Sequence, residues 1–124
     1  MGATAVVALP GGDARAALPL SPSAFHILLA LADGDRHGYS MSKEVEAETE
    51  GTVKLPPGTL YRQIKQMLVD GWISETDGGD EDPRRRYYRM TPRGRAIARA
   101  EAERLQELVR IARARKLLPA VALA

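Results

Sequence analysis

The chain has 124 residues, 44% hydrophobic and 27% charged, which suits one compact domain with an appendage and is too short for a multidomain enzyme. Aromatic residues make up 5% and cysteine is absent, so the core is aliphatic, and disulfide frameworks, thiolate nucleophiles and cysteine-containing zinc sites are excluded. The formal charge of +2 hides a segregation: residues 1–83 hold six Lys or Arg against thirteen Asp or Glu, while residues 84–124 hold twelve against three, a basic second part that suits a polyanionic partner.

Residues 1–19, with Ala, Gly and Pro in quick succession, read as a disordered arm. The apolar run Ala3 to Leu9 is short and lacks a basic start, and Ile27 to Ala32 is far below the ~20 residues of a membrane span, so a cytoplasmic protein is expected. Ser21-Pro22 is a helix start signal, and Phe25, Leu28, Leu29 and Ala32 follow at helical spacing until Asp33-Gly34. A second helix is predicted from about Tyr39 to Thr49, with Met41, Val45 and Ala47 inward and Gly51 as its stop.

A third helix is predicted from Pro56-Pro57-Gly58-Thr59 to Asp70. At 100° per residue Leu60, Ile64, Met67 and Leu68 share the buried face, leaving Gly58, Thr59, Arg62, Lys65, Gln66 and Val69 on an outer face that is polar and basic. Trp72 to Glu75 and Arg86 to Met90 read as two short strands of a hairpin with a long tip, with Tyr88 and Met90 toward the core. Thr91-Pro92 opens a last helix to about Leu118, roughly 40 Å long, whose apolar stripe runs Ile97, Ala100, Leu105, Leu108, Ile111 and Ala112.

Three helices followed by a hairpin is the order of a winged helix-turn-helix, in which the third helix enters the DNA major groove and the hairpin touches the flanking backbone. The expected fold is therefore mainly α (α+β), with a winged domain over residues 20–92, a long dimerisation helix over 93–118 and a tail over 119–124. Gly58 lets a phosphate approach the backbone closely. Thr59 can cap the helix or reach a phosphate or a thymine methyl, and Tyr61 can pack its ring and offer its hydroxyl. Arg62, Lys65 and Gln66 face outward as base or phosphate contacts, against the competing reading of solvated side chains. Arg84, Arg85 and Arg86 follow the acidic Asp80-Glu81-Asp82 and are read as DNA contacts of the wing rather than as a solvated charge run.

Four pieces in order, His37-Gly38-Tyr39, Pro57-Gly58-Thr59-Leu60-Tyr61, Asp70-Gly71-Trp72-Ile73 and Arg86-Tyr87-Tyr88-Arg89-Met90-Thr91-Pro92-Arg93-Gly94, make the chain from His37 to Gly94 resemble the PadR family of bacterial transcriptional regulators. The likeness extends more loosely from Ser21 to about Leu118 and suits the short-tailed branch with one helix after the wing. Relatives commonly have Pro where this chain has Arg62, and an aliphatic residue where it has Trp72. The resemblance implies a repressor, backbone contact by Tyr39, a first helix that joins the dimer surface, and responsiveness to a small-molecule effector of unspecified identity.

The last helix is too long for its own domain to cover, so a second copy of the chain is the expected partner of Leu105, Leu108, Ile111 and Ala112, with Phe25, Leu28 and Leu29 of the first helix as a second surface. The reading is a homodimeric regulator of double-stranded DNA acting on an inverted-repeat operator. The competing class is a winged-helix module that binds only protein. No enzyme is expected. Asp33, Asp35 and His37 are read as ordinary loop residues rather than metal ligands, Asp77 to Asp82 lacks the alternating oxygen ligands and terminal Glu of a calcium loop, and no catalytic, cofactor or metal site is assigned.

Overall fold

Ser21 begins the first helix as its type demands, its Oγ accepting from the Ala24 amide at 3.2 Å while Pro22 takes the position where a missing N–H costs nothing. The structure, a computed structural model, describes residues 14–77 and 85–120. Its elements are α1 (Pro22–Ala30), β1 (Arg36–His37), α2 (Gly38–Glu48), α3 (Pro57–Asp70), β2 (Ile73–Thr76), β3 (Tyr87–Met90) and α4 (Pro92–Ala114). Among the described residues no helix is long and apolar enough to cross a membrane.

The core is aliphatic. Ile27 and Leu28 of α1, Met41 and Val45 of α2, Leu60, Ile64 and Met67 of α3, Ile73 of β2, Tyr88 and Met90 of β3 and Ile97 of α4 all bury against one another. Each comes from the face its periodicity selects. Ala47, expected inward, is exposed, because Met41 and Val45 already fill the narrow contact α2 makes.

Three helices end alike. After α2, α3 and α4 the residues Glu50 (φ 52), Gly71 (φ 77) and Lys116 (φ 65) turn left-handed. The next amides then reach back, Gly51 to the Glu46 carbonyl at 2.8 Å, Trp72 to Met67 at 2.9 Å and Leu117 to Ala112 at 2.9 Å, capping carbonyls that would otherwise go unpaired. This turn at Lys116 stops α4 short of the expected Leu118, and Leu117 projects into solvent.

The sheet has three strands rather than the expected two, in the antiparallel order β1-β3-β2. Ile73 pairs with Met90 and Thr76 with Tyr87, while Arg36 pairs with Tyr88 on the other side. A two-residue strand shows no alternation, which is why periodicity passes over β1. The hairpin tip, residues 78–84 with Asp80, Glu81, Asp82 and Arg84, lies outside the described residues, as do residues 1–13 and 121–124.

The wing returns into α4 through Thr91, whose Oγ1 accepts from the Gly94 amide at 3.0 Å and donates to the Gly71 carbonyl at 2.6 Å. Gly94 is needed there. A β-carbon would sit 2.0 Å from the Trp72 carbonyl oxygen, a backbone atom that cannot give way. The Trp72 side chain packs half-buried at the edge of the core.

One expectation about the N-terminal end changes. Residues 14–19, assigned to a disordered arm, instead form a helical turn and bend that brings Ala14, Ala17 and Leu18 onto the core and leads into buried Leu20. Where the stripe of α4 passes this segment it carries Glu101, only 2% exposed. Its carboxylate takes both Arg104 Nε at 2.7 Å and Nη2 at 2.9 Å and a backbone hydrogen bond from Leu20. These hydrogen bonds are why a carboxylate can be buried there.

Candidate nucleic-acid interface

The start of α2 meets the middle of the wing and the first turns of α3. His37 caps α2, its Nδ1 accepting from the Ser40 amide at 3.2 Å, while Ser40 Oγ donates to the His37 carbonyl at 2.8 Å. The ring of His37 packs edge-on against Tyr87 of the wing, centroids 5.3 Å apart. The helix start and β3 are thereby held together.

Between them opens a cavity of about 380 Å³. His37, Gly38 and Tyr39 line one wall, Tyr61 of α3 the second, and Arg85, Arg86 and Tyr88 of the wing the third. Tyr39 and Tyr61 are exposed. Lys43, one turn along α2, lies over the Tyr39 ring with its Nζ 5.4 Å from the centroid, extending the positive rim. Burial, and next the negative charge of Glu75, push the Tyr88 phenol above its ordinary value. It stays a neutral hydroxyl at neutral pH.

Charge near the cavity is arranged by pairs. Arg86 meets Glu75 across the hairpin at 3.3 Å. Arg89 grips Asp35 with two bonds, 3.1 Å and 2.9 Å, which lower the Asp35 carboxyl and raise the Arg89 guanidinium. Arg36 donates to the Ala30 carbonyl at 2.6 Å and lies 3.6 Å from Asp33 and 3.7 Å from Glu44. Asp33 and Asp35 are therefore partners of arginines that fasten the α1–α2 connection, and His37 is a helix cap. Among the described residues no cluster of three His, Cys, Asp or Glu could hold a metal ion.

On α3, Gly58, Arg62, Lys65, Gln66 and Val69 are exposed and Thr59 half-buried. No side chain caps the start of α3, where Pro56 stands at the cap position, so Thr59 is not a cap. A β-carbon on Gly58 would meet nothing within 4 Å, leaving that end of the helix open to a large ligand. Gln66 Nε2 donates to Asp70 Oδ1 at 3.1 Å.

The structure thus brings Tyr39, Tyr61, Arg85 and Arg86 around one cavity and continues that surface along α3 through Arg62, Lys65 and Gln66. Arg84 lies outside the described residues. His37, Tyr88 and Lys43 join the surface without having been assigned to it from the sequence. His37 stood inside a motif, but only contact across the wing reveals its place.

The apolar surface expected to pair with a second copy divides. Leu29, Leu108 and Ile111 are exposed, joined by Val109, while Phe25, Leu105 and Ala112 are half-buried. Leu28 is a correction. At 0% exposure it belongs wholly to the domain's own core and has no surface to offer, since α1 turns it inward.

The pattern of the Transcriptional regulator PadR-like family matches residues 27–100. A transcriptional regulator of Mycobacterium tuberculosis is 33% identical over 85 residues, 68% of this chain and 77% of that protein. Among solved structures, a transcriptional regulator from Clostridium thermocellum is similar with a TM-score of 0.63 and 28% identity, over 78% of this chain and 90% of that one. A PadR family transcription regulator from Clostridium difficile shares the fold with a TM-score of 0.64 at 20% identity, over 75% and 96% of the two chains.

Proposed function

Because the chain belongs to the PadR-like family of transcriptional regulators, a DNA-binding and non-enzymatic family, we propose that it is a cytoplasmic repressor that binds an inverted-repeat operator as a homodimer. The observation that carries this reading is the outer face of α3. Arg62, Lys65 and Gln66 are exposed side by side, and the same helix supplies Tyr61 to the cavity beneath the wing arginines. A recognition helix presents such a face to base edges, while flanking tyrosines and arginines hold phosphates and fix its register.

Two-fold pairing through the uncovered part of α4 would relate two such helices by a two-fold axis, which is why an inverted repeat is the matching operator. The test is a gel shift at fixed salt on duplexes retained from a randomised library. Changing both Arg62 and Lys65 to Ala should weaken binding with the fold intact. A lost base contact costs about 1–3 kcal/mol and relaxes preference at one position, whereas a lost phosphate contact lowers affinity for all sequences alike. Unchanged binding by the double variant removes α3 as the reading element, and a protein that retains no duplex is better described as a protein-binding module.

A further inference from the structure

Val69 is an exposed apolar residue on the outer face of α3. Its neighbour Leu68 packs against the core, but Val69 is 74% exposed. It stands seven residues after Arg62, almost on the same line along α3, with Lys65 and Gln66 to either side. An aliphatic side chain thus lies among polar and basic ones on the last turn of α3, one residue before Asp70 ends the helix.

We propose that Val69 is a specificity-determining residue that reads thymine, its methyl groups seated against the 5-methyl group of a thymine in the major groove. The inference rests on α3 being the recognition helix, as in the proposed function. Of the groups the four bases present in that groove, only the thymine methyl is apolar. All others are hydrogen-bonding donors or acceptors, which an aliphatic side chain would strip of water without replacing the bond. Gln66 supports the same choice. One of its two amide N–H groups is engaged by Asp70 at 3.1 Å, leaving the other N–H and the carbonyl oxygen, the donor–acceptor pair that suits adenine, the base paired with thymine.

The test uses the full chain and a duplex it retains from a randomised library, resynthesised with deoxyuridine in place of each thymine in turn, which removes one methyl group and nothing else. At one thymine in each half-site the native protein should lose about fourfold in affinity, the worth of one buried methyl-sized group. Val69→Ala should bind the thymine and deoxyuridine duplexes equally, with an unchanged thermal midpoint because the side chain is exposed. Indifference of the native protein to every replacement overturns the proposal, as does a deoxyuridine penalty that persists in Val69→Ala. In both cases the regulator reading stands, because a duplex was retained. Failure to retain any duplex overturns that reading and this inference with it.

Discussion

Tyr61 lies against the bare backbone of Gly38: a β-carbon there would sit 2.6 Å from the Tyr61 hydroxyl oxygen and 2.9 Å from its Cε1. The contact joins α3 to the first residue of α2 at the cavity wall, so the position of the Tyr61 ring is set by the absence of a side chain on the preceding helix. Gly38→Ala should push the Tyr61 ring out of its seat. The obstructing atoms belong to the end of a half-exposed side chain, so the fold should tolerate the change within about 0.5 kcal/mol. Affinity for a retained duplex should fall about 10- to 150-fold, the worth of one hydrogen bond to a charged phosphate. A variant with native affinity would mean that Tyr61 does not touch DNA from this seat.

Legibility followed the length and regularity of the pattern. Leu60, Ile64 and Met67 on α3, and Tyr88 and Met90 on β3, could be placed by period alone because each sits in an element with a clear inner and outer face. The strand at Arg36–His37 was invisible, since it exists only through pairing with β3. Leu28 and Leu29 were indistinguishable as types, yet one is sealed in the core and the other faces out. Glu101 was the instructive case. It stands four residues after Ile97, in line with the buried stripe, and three before Arg104, a spacing that allows a paired, buried carboxylate. Its charge alone does not distinguish it from the solvated carboxylates beside it on the same helix, Glu103 and Glu107. On the interface, the outer face of α3 was legible for the same periodic reason, whereas the roles of His37 and Lys43 depend on ring contacts that only the fold creates.

Glu101 also gives the fold a defined acid sensitivity. The hydrogen bonds from Arg104 are the largest influence and lower its pKa, the charge of Arg104 and a backbone bond from Leu20 lower it further, and burial opposes them. A carboxyl lowered in the folded state contributes stability that is complete above its unfolded value, near 4.5, and is lost as pH falls through the folded value. Glu101→Gln should therefore be less stable than the native chain at pH 7, by about 1–3 kcal/mol for hydrogen bonds to a charged group. The gap should narrow from the unfolded value downward and close below the lowered folded value, where the native side chain is protonated. Urea denaturation of both proteins at pH 7 and pH 3 measures it, and a gap that stays constant would assign the loss to packing instead.

The wing arginines make a separate, electrostatic prediction. Arg86 is exposed and its pairing with Glu75 at 3.3 Å is a surface contact, weak enough for a phosphate to replace. Changing Arg85 and Arg86 to Ala should lower affinity for all duplexes. It should also make the plot of log affinity against log salt shallower by about 0.9 for each phosphate released. Binding titrations at four or five salt concentrations give the slope. A slope equal to that of the native protein would leave both arginines as solvated charges.

The last prediction concerns the uncovered end of α4. Glu101 is the last buried residue of the helix, and the thirteen residues from 102 to Ala114 run on for about 20 Å beyond it. The stripe that filled the core through Ile97 continues along that overhang as Leu105, Leu108 and Ala112, with Leu108 49% exposed and Val109 and Ile111 beside it. Each such side chain gains about 1.5–3 kcal/mol when fully buried. A second α4 packed antiparallel or crosswise would cover both overhangs at once, and exposed Leu29 of α1 would add to the contact. Changing Leu105 and Leu108 together to Asp places two charges at the centre of that contact while leaving Glu101–Arg104 and the core intact. Light scattering at micromolar concentration should then give a dimer for the native chain and a monomer for the variant. The monomer should keep native circular dichroism and lose tight binding to a two-half-site duplex, while a single half-site is bound equally weakly by both. A native chain that scatters as a monomer overturns the dimer, and a variant that remains dimeric places the contact elsewhere than on this stripe.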